Sequence, residues 1–287
     1  MKLTQGKLIE TIRKKNQGWT TYQARKTANI SIRRVNQVYG QYLISGKIPE
    51  IGKKNGRPIK PIEDWEIKIV KESYEIYKVS SSSLEEIIDK RYNKRMSHRR
   101  IHKILLILGY AKKKSKIDVR KKKWIRYERR HSLTAVHIDW YYSATQNLWV
   151  FAVLDDASRK LLALVECKSA TTEQSIYGMR LAMTHGKIKQ CISDHGTQFI
   201  KQEGMESSFK DFLAANEIKQ ILCRIKHPQS NGKVEKFFDL YQNKRYMFET
   251  KEDFVYWYNE VRPHRSLNFE ILETPHQAFI RKMKAEV

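Results

Sequence analysis

Apolar side chains recur every three or four positions through the first 45 residues of the chain. Residues 5–16 predict a first helix, and Thr20 with Gln23 forms a capping-box pair that begins a short second helix. Ser31 is placed to cap a third helix, because an apolar stripe at helical spacing follows it. That stripe consists of Ile32, Val35, Tyr39, Tyr42 and Leu43.

Basic side chains of the third helix fall outside its apolar stripe, at Arg33 and Arg34. Three short helices with a basic third helix are typical of a helix-turn-helix, so residues 1–51 are predicted to form a DNA-binding unit. A basic linker rich in Gly and Pro follows at residues 52–62. Within it, Arg57 either enters a DNA minor groove or belongs to a plain flexible linker.

Residues 63–112 repeat this arrangement and are predicted to form a second helix-turn-helix unit. Ser83 and Glu86 form another capping-box pair, and Ser97 begins a last helix that ends at Gly109. The apolar positions are Trp65, Ile69 and Ile76 in the first helix and Ile101, Ile104, Leu105 and Leu108 in the last.

The last helix of this second unit leaves Arg99, Arg100 and Lys103 facing outward, as a DNA-recognition helix would. His98 and His102 are four residues apart, but no further metal ligand lies near them in sequence. We therefore expect these two histidines to face phosphate or solvent rather than to bind a metal.

After a basic connector at residues 113–130, short apolar runs replace the amphipathic helices. Three runs at hairpin separations, followed by alternating helices and strands, predict an α/β fold with a mixed sheet flanked by helices. This α/β core is assigned to residues 131–250, with a C-terminal helical extension at 251–287. The predicted strands are 136–140, 148–154, 161–165, 188–193 and 218–223, and the predicted helices are 171–183, 207–216 and 230 to about 247.

Three acidic residues stand where a sheet of this kind gathers its ligand sites. Asp139 lies at the end of the first predicted strand, Asp194 follows the fourth, and Glu235 lies near the start of the long helix. Asp155 and Asp156 follow the second strand and precede a tight turn, so we expect them to serve the turn rather than a metal.

The residues around these acids resemble the DDE transposases and retroviral-type integrases, and most of all the insertion-sequence transposases with an integrase-type core. The resemblance covers about residues 130–285 and implies a ribonuclease-H-like fold. It also places the family's acidic triad on Asp139, Asp194 and Glu235. Forty residues separate Asp194 from Glu235, somewhat more than is common in the family, and the added length falls around 201–206. The matching blocks are 155–159, 194–199, 227–236, 258–267 and 274–275.

Three carboxylates brought together repel one another unless cations neutralise them, and hard oxygen ligands suit Mg²⁺ or Mn²⁺. We expect two such ions, with Asp139 bridging both, to support cleavage and transfer of DNA strands by in-line displacement. Other residues are expected to contact DNA, although the lysines among them also fit a solvated helix surface. The first group lies beside Glu235, where a helix N-terminus favours phosphate, and consists of Asn231, Lys233 and Lys236. The second group lies in the tail, where it contacts DNA or closes over the cleft, and consists of Arg262, His264 and Arg265.

The charge of the chain is concentrated in its first part. Of the net charge of +25, residues 1–130 hold 35 basic and 12 acidic residues, whereas the remainder holds 21 and 19. This excess predicts a nucleic-acid partner for the helical units.

Cys167, Cys191 and Cys223 lie far apart in apolar runs, which predicts buried reduced thiols. No signal peptide or membrane span is apparent, so we expect a soluble, cytoplasmic protein. The family resemblance implies in addition that it is prokaryotic and associated with the nucleoid.

These features lead to one main hypothesis. The protein is expected to be a transposase that binds the terminal inverted repeats of its element and integrates them into target DNA, as a homodimer or higher oligomer. Two alternatives stay open, a domesticated DNA-binding regulator with an inactive core and a nuclease of the same fold that cuts without joining.

Overall fold

The computed structural model divides the chain into two compact units, Met1–Pro61 and Ile62–Val287. Several predicted features lie outside the residues that the structure describes: Arg57, the added length at 201–206, and most of the basic linker and connector. None of the helices in the described part of the chain is long and apolar enough to cross a membrane. The structure describes residues 3–51, 60–112, 128–199, 208–223 and 231–283.

The first unit contains three helices that pack around a small apolar core of Leu8, Ile12 and Val38. Their predicted starts and the Thr20 capping box are confirmed. The predicted apolar stripe of the third helix is partly wrong, because Leu43 is 64% exposed. A helix that crosses its neighbours at an angle buries only the residues near the crossing. The helices are α1 (Gln5–Asn16), α2 (Thr21–Ala28) and α3 (Ile32–Ser45).

The second unit begins with three more helices, whose core includes Val70, Leu84 and Ile101. The helix expected from the Ser83 and Glu86 pair begins earlier, with Ser80 at its N-cap. Trp65 and Ile76 are exposed rather than buried, because the opposite side of their helix faces the core. The helices are α4 (Asp64–Tyr77), α5 (Ser81–Tyr92) and α6 (His98–Ile107).

A five-stranded sheet follows, in the spatial order β3-β2-β1-β4-β5. The first three strands form an antiparallel meander, and β4 and β5 extend it in parallel with β1. The prediction of a mixed sheet flanked by helices is therefore confirmed. The strands are β1 (Val136–Ser143), β2 (Leu148–Asp155), β3 (Leu161–Cys167), β4 (Gln190–Ser193) and β5 (Lys219–Leu222).

Helices cover both faces of this sheet, because successive side chains of a strand point to opposite sides. Phe151 of β2 packs on one face with residues of α7 and α8, including Met179 and Phe209. Val150 packs on the other face with α9 and α10, where Phe237 is part of the core. The helices are α7 (Thr172–Met183), α8 (Ser208–Ala215), α9 (Gly232–Lys244), α10 (Lys251–Tyr256) and α11 (Pro275–Arg281), and a π-helical segment, Trp257–Val261, continues α10.

Candidate active site

Asp139 and Asp194 belong to neighbouring parallel strands of the sheet. β1 and β4 pair with Val136 opposite Cys191 and His137 opposite Ile192. When this register is continued by two residues, Asp139 faces Asp194, the first residue beyond β4. The pairing of two strands thus brings together two acids that are far apart in the chain.

The carboxylate of Asp139 is half-buried and held by two hydrogen bonds. The backbone N–H of Trp140 donates to Oδ1 at 2.8 Å, and Nδ2 of Asn231 donates to Oδ2 at 2.9 Å. Burial and the negative charge of Asp194, with a smaller effect of Glu235, raise the pKa of Asp139 to about 7. The three predicted acids therefore lie close enough to interact electrostatically, because the charges of Asp194 and Glu235 both disfavour ionisation of Asp139.

The N-terminus of α9 supplies the third acid and a buried amide. Glu235 lies in the first turn and is exposed. Asn231 precedes the helix and is 7% exposed, and its Oδ1 has no hydrogen-bond partner within the described parts of the chain. Burial and the charges of Asp194, Asp139 and Glu235 raise the pKa of the nearby Cys223 thiol to about 11. The pKa of Cys223 therefore depends on the same three carboxylates that interact around Asp139.

The chemistry of these donors fits a divalent cation. Carboxylate oxygens are the ligands that Mg²⁺ and Mn²⁺ prefer, and a cation would relieve the repulsion that raises the pKa of Asp139. Across the described ranges, no three His, Cys, Asp or Glu side chains stand close enough together to hold one metal ion. The three acids thus lie near one another, but in the described residues they do not converge on a single point as the ligands of one bound ion would.

A second pair of acids lies at the end of β2, and its members have different roles. Asp155 is completely buried and accepts hydrogen bonds from the backbone N–H of Leu133 at 2.8 Å and from Ser158 Oγ at 2.6 Å, as expected for a turn residue. The turn interpretation is wrong for Asp156, whose Oδ1 accepts from His137 Nε2 at 2.7 Å and from Lys233 Nζ. Local sequence favoured a turn, whereas the partners of Asp156 come from β1 and α9.

The charge state of this buried cluster follows from its contacts. Burial alone would raise the pKa of Asp156, but the hydrogen bond from His137 and the charge of Lys233 hold it below its usual range. Burial also lowers the pKa of Lys233 to about 8, with a further contribution from Arg159. Lys233 was expected to face phosphate, yet its side chain is only 13% exposed and points to Asp156.

Five of the predicted DNA-contacting side chains are exposed on helix surfaces. On α3 and α6 they occupy the sides opposite the buried apolar residues, as the sequence pattern predicted. One on α9 forms an exposed ion pair with Asp239. Contact with DNA stays a prediction for all five. They are Arg33, Arg34, Arg99, Lys103 and Lys236.

Other predicted DNA contacts are engaged within the protein. Arg100 forms a two-pronged pair with the buried Glu66, at 2.5 Å for both N–O contacts. Arg262 stacks on Tyr258, with its guanidinium carbon 5.5 Å from the ring centroid. His264 interacts with Ser266, and Arg265 hydrogen-bonds to α5. The sequence pattern of α6 predicted that Arg100 faces outward. It could not show that Glu66 of the neighbouring helix α4 lies within reach.

His98, His195 and the three cysteines have ordinary surroundings. His98 Nδ1 lies 3.0 Å from Glu85 Oε2, and His195 Nε2 lies 2.8 Å from the carbonyl oxygen of Cys223. All three cysteines are free, as predicted, but only Cys191 is buried. None of these groups adds a metal ligand to the acidic neighbourhood in the described residues.

The sequence did not indicate the roles of two residues next to the acids, His137 and Asn231. His137 lies two positions before Asp139 on β1 and is completely buried, a position where the alternation of the strand could have drawn attention to it. Asn231 was expected to contact DNA, but its link to Asp139 spans 92 positions and has no signal in local sequence.

Comparison with known proteins finds a family match for part of the chain. Residues 129–228 match the family model of the integrase core domain. ORF3 of Spiroplasma virus SpV1-C74, named as a candidate integrase, is 28% identical over 190 residues, which is 56% of this chain and 52% of that protein. The chain thus spans about half the length of this relative. An uncharacterized protein of Archaeoglobus fulgidus is 30% identical over 94 residues, or 33% of this chain and 75% of that one.

A solved structure is also similar to part of this chain. The HTLV-2 integrase catalytic core domain, in complex with magnesium and in a dimeric form, has a TM-score of 0.41 and 16% identity, covering 52% of this chain and 97% of that one. The mixed sheet and its flanking helices define an α/β protein. The match to the integrase core domain covers residues 129–228, which include Asp139 and Asp194 but not Glu235.

Proposed function

We propose that the protein is a DDE-type DNA transposase that binds the ends of its element and catalyses strand cleavage and strand transfer. Asp139, Asp194 and Glu235 are its catalytic carboxylates. The observation that carries this proposal is the register of β1 and β4, which sets Asp139 opposite Asp194, and the charges of Asp194 and Glu235 both act on the half-buried carboxyl of Asp139. A half-buried carboxyl facing two like charges costs stability, so it is expected to serve a function.

The metal chemistry follows from these donors. Asp139, Asp194 and Glu235 would hold two Mg²⁺ or Mn²⁺ ions, which when bound activate the attacking oxygen and neutralise charge on the phosphate. The residues of the chain itself position the acids. The amide of Asn231 fixes one oxygen of Asp139, and the backbone N–H of Gly196 donates to Asp194 Oδ1 at 2.9 Å. Both contacts limit rotation of the carboxylates before DNA binds.

DNA binding is assigned mainly to the exposed basic faces of α3 and α6, as two helix-turn-helix units. Arg99 and Lys103 are four residues apart on α6 and project from the same side of the helix. Lys236 is exposed one position after Glu235 and is placed to meet a phosphate near the acids. The partners are the terminal inverted repeats and target DNA, bound by a homodimer or higher oligomer.

Substitution of the three acids tests the proposal. Asp139→Asn, Asp194→Asn and Glu235→Gln should each abolish Mg²⁺-dependent cleavage of duplexes made from the DNA flanking the coding region. Binding to the same duplexes should stay close to that of the wild type, which controls for folding. Cleavage retained by any one variant would reject that residue. Binding without cleavage by the wild-type protein would favour a regulator instead.

A further inference from the structure

We propose that Asp156 is a positioning residue that sets the spacing between the β1 strand and the α9 helix, and hence between Asp139 and Glu235. The inference rests on the proposed function, because it concerns how those acids are held for a metal. Asp156 touches neither acid and acts through His137 and Lys233.

The contacts of Asp156 come from three separate segments. Its Oδ1 accepts from His137 Nε2 at 2.7 Å and from Lys233 Nζ, and its Oδ2 accepts from the backbone N–H of Arg129 at 2.6 Å. Its own backbone N–H donates to the carbonyl oxygen of Ala135 at 3.0 Å. One buried carboxylate therefore fixes the segment before β1, the first residues of β1, and the start of α9.

Each side chain that Asp156 holds stands two residues before an acid. His137 precedes Asp139 on β1, and side chains two apart on a strand share a face of the sheet. Lys233 precedes Glu235 in the first turn of α9. Because α9 also packs on β1 and β2, a shift of its first turn would move Glu235 relative to Asp139.

The burial of the cluster makes it rigid. His137 and Asp156 are both completely buried, and the Lys233 side chain is 13% exposed. Water has little access to replace a lost contact, so removing one partner leaves the others without compensation. Asn231 gives α9 a second attachment at Asp139 itself. The start of the helix is therefore fixed at two points, one on β1 at Asp139 and one directly after β2 at Asp156.

Asp155 provides a matched control because it is adjacent in sequence and equally buried. Its hydrogen bonds go to Leu133 and Ser158, which lie before β1 and in the turn after β2. It contacts neither His137 nor Lys233 through any bond that the structure records. Loss of the Asp155 charge should therefore disturb folding without moving α9.

The test measures Mn²⁺ affinity of the full chain by titration monitored with electron paramagnetic resonance. Asp156→Asn should weaken Mn²⁺ binding by about 10-fold, the lower end of the loss that follows removal of a group bonded directly to a metal ligand, because Asp156 acts one contact further away. Asp155→Asn should bind Mn²⁺ within about twofold of the wild type even if its Tm falls. This separation distinguishes positioning from general loss of stability.

Two further variants make every outcome decisive. Lys233→Met keeps the bond between His137 and Asp156 but removes the contact between α9 and Asp156. This variant should also bind Mn²⁺ more weakly, and it replaces Asp156→Asn in the test if that variant does not fold. Wild-type affinity in Asp156→Asn or Lys233→Met, or an equal loss in Asp155→Asn, would overturn the inference. Asp139→Asn should lose Mn²⁺ binding, and if it did not, the proposed metal site itself would be wrong.

Discussion

Arg265, in the segment between the π-helical turn and α11, reaches Glu86 on α5, with Nη2 2.7 Å from Oε1. The same guanidinium donates to Ser83 Oγ at 3.0 Å and to the carbonyl oxygen of Ser82 at 2.7 Å. Lys90 of α5 hydrogen-bonds in turn to the carbonyl oxygen of Glu270. A residue expected to meet DNA thus attaches the second helical set to the C-terminal segment of the same unit.

Arg265→Ala should loosen this attachment without unfolding the unit. The ion pair is half exposed, so its loss should change the free energy of unfolding by about 1 kcal/mol or less. Amide hydrogen exchange in residues 81–92 should nevertheless become faster, because the hydrogen bonds to α5 are lost. Lys103→Ala, on an exposed side of α6, is the control and should leave this exchange unchanged. Equal exchange in both variants would remove the structural role of Arg265.

Gly178 marks a close approach of α7 to the sheet. A Cβ built there would lie 2.6 Å from Phe151 Cε1 and 3.3 Å from Val165 Cγ2, and closer still to Phe151 Cδ1. Gly178→Ala should therefore destabilise the second unit by about 1–3 kcal/mol, the usual cost of overpacking a core. Gly40→Ala, within α3 and with nothing within 4 Å, should be neutral or stabilising. Thermal unfolding of both variants checks the contrast.

The exposed side of α6 should contribute to DNA binding through charge. Arg99→Ala and Lys103→Ala should each weaken binding to element ends and reduce the slope of log K against log salt by about one, if each side chain contacts one phosphate. Lys187→Ala is a suitable control because it removes an exposed charge outside both predicted helix-turn-helix units and the basic linker. Fluorescence anisotropy at several salt concentrations measures both quantities, and unchanged slopes would exclude phosphate contacts by α6.

The raised pKa of Asp139 predicts a pH dependence of stability in metal-free protein. The carboxyl binds a proton more tightly in the folded state, with a pKa near 7 against 3.8 in the unfolded chain. Its stabilising contribution is therefore complete below about pH 4 and is lost as the pH rises through about 7. Asp139→Asn cannot ionise, so its Tm should fall less than that of the wild type over this range in EDTA. Parallel Tm curves would contradict the assigned pKa.

The sequence predicted the elements better than the partners of individual side chains. The strands and the position of Asp139, Asp194 and Glu235 follow from periodicity and from motifs that resemble a family, and both are local properties. The pairing of Arg100 with Glu66 and of Lys233 with Asp156 depends on how helices and strands meet, so it has no local signal. In the same way, Trp65 satisfied the apolar spacing of α4 while lying on its exposed side.

The most direct test of the proposed chemistry follows a labelled DNA end with a free 3′-hydroxyl as it is joined to target DNA. Wild-type protein with Mg²⁺ or Mn²⁺ should form a covalent product in which the labelled strand is attached to target, and Glu235→Gln should form none while still binding the end. Joining by Glu235→Gln at the wild-type rate, or hydrolysis by the wild type without any joined product, would contradict the assignment of this protein as a transposase with these three acids.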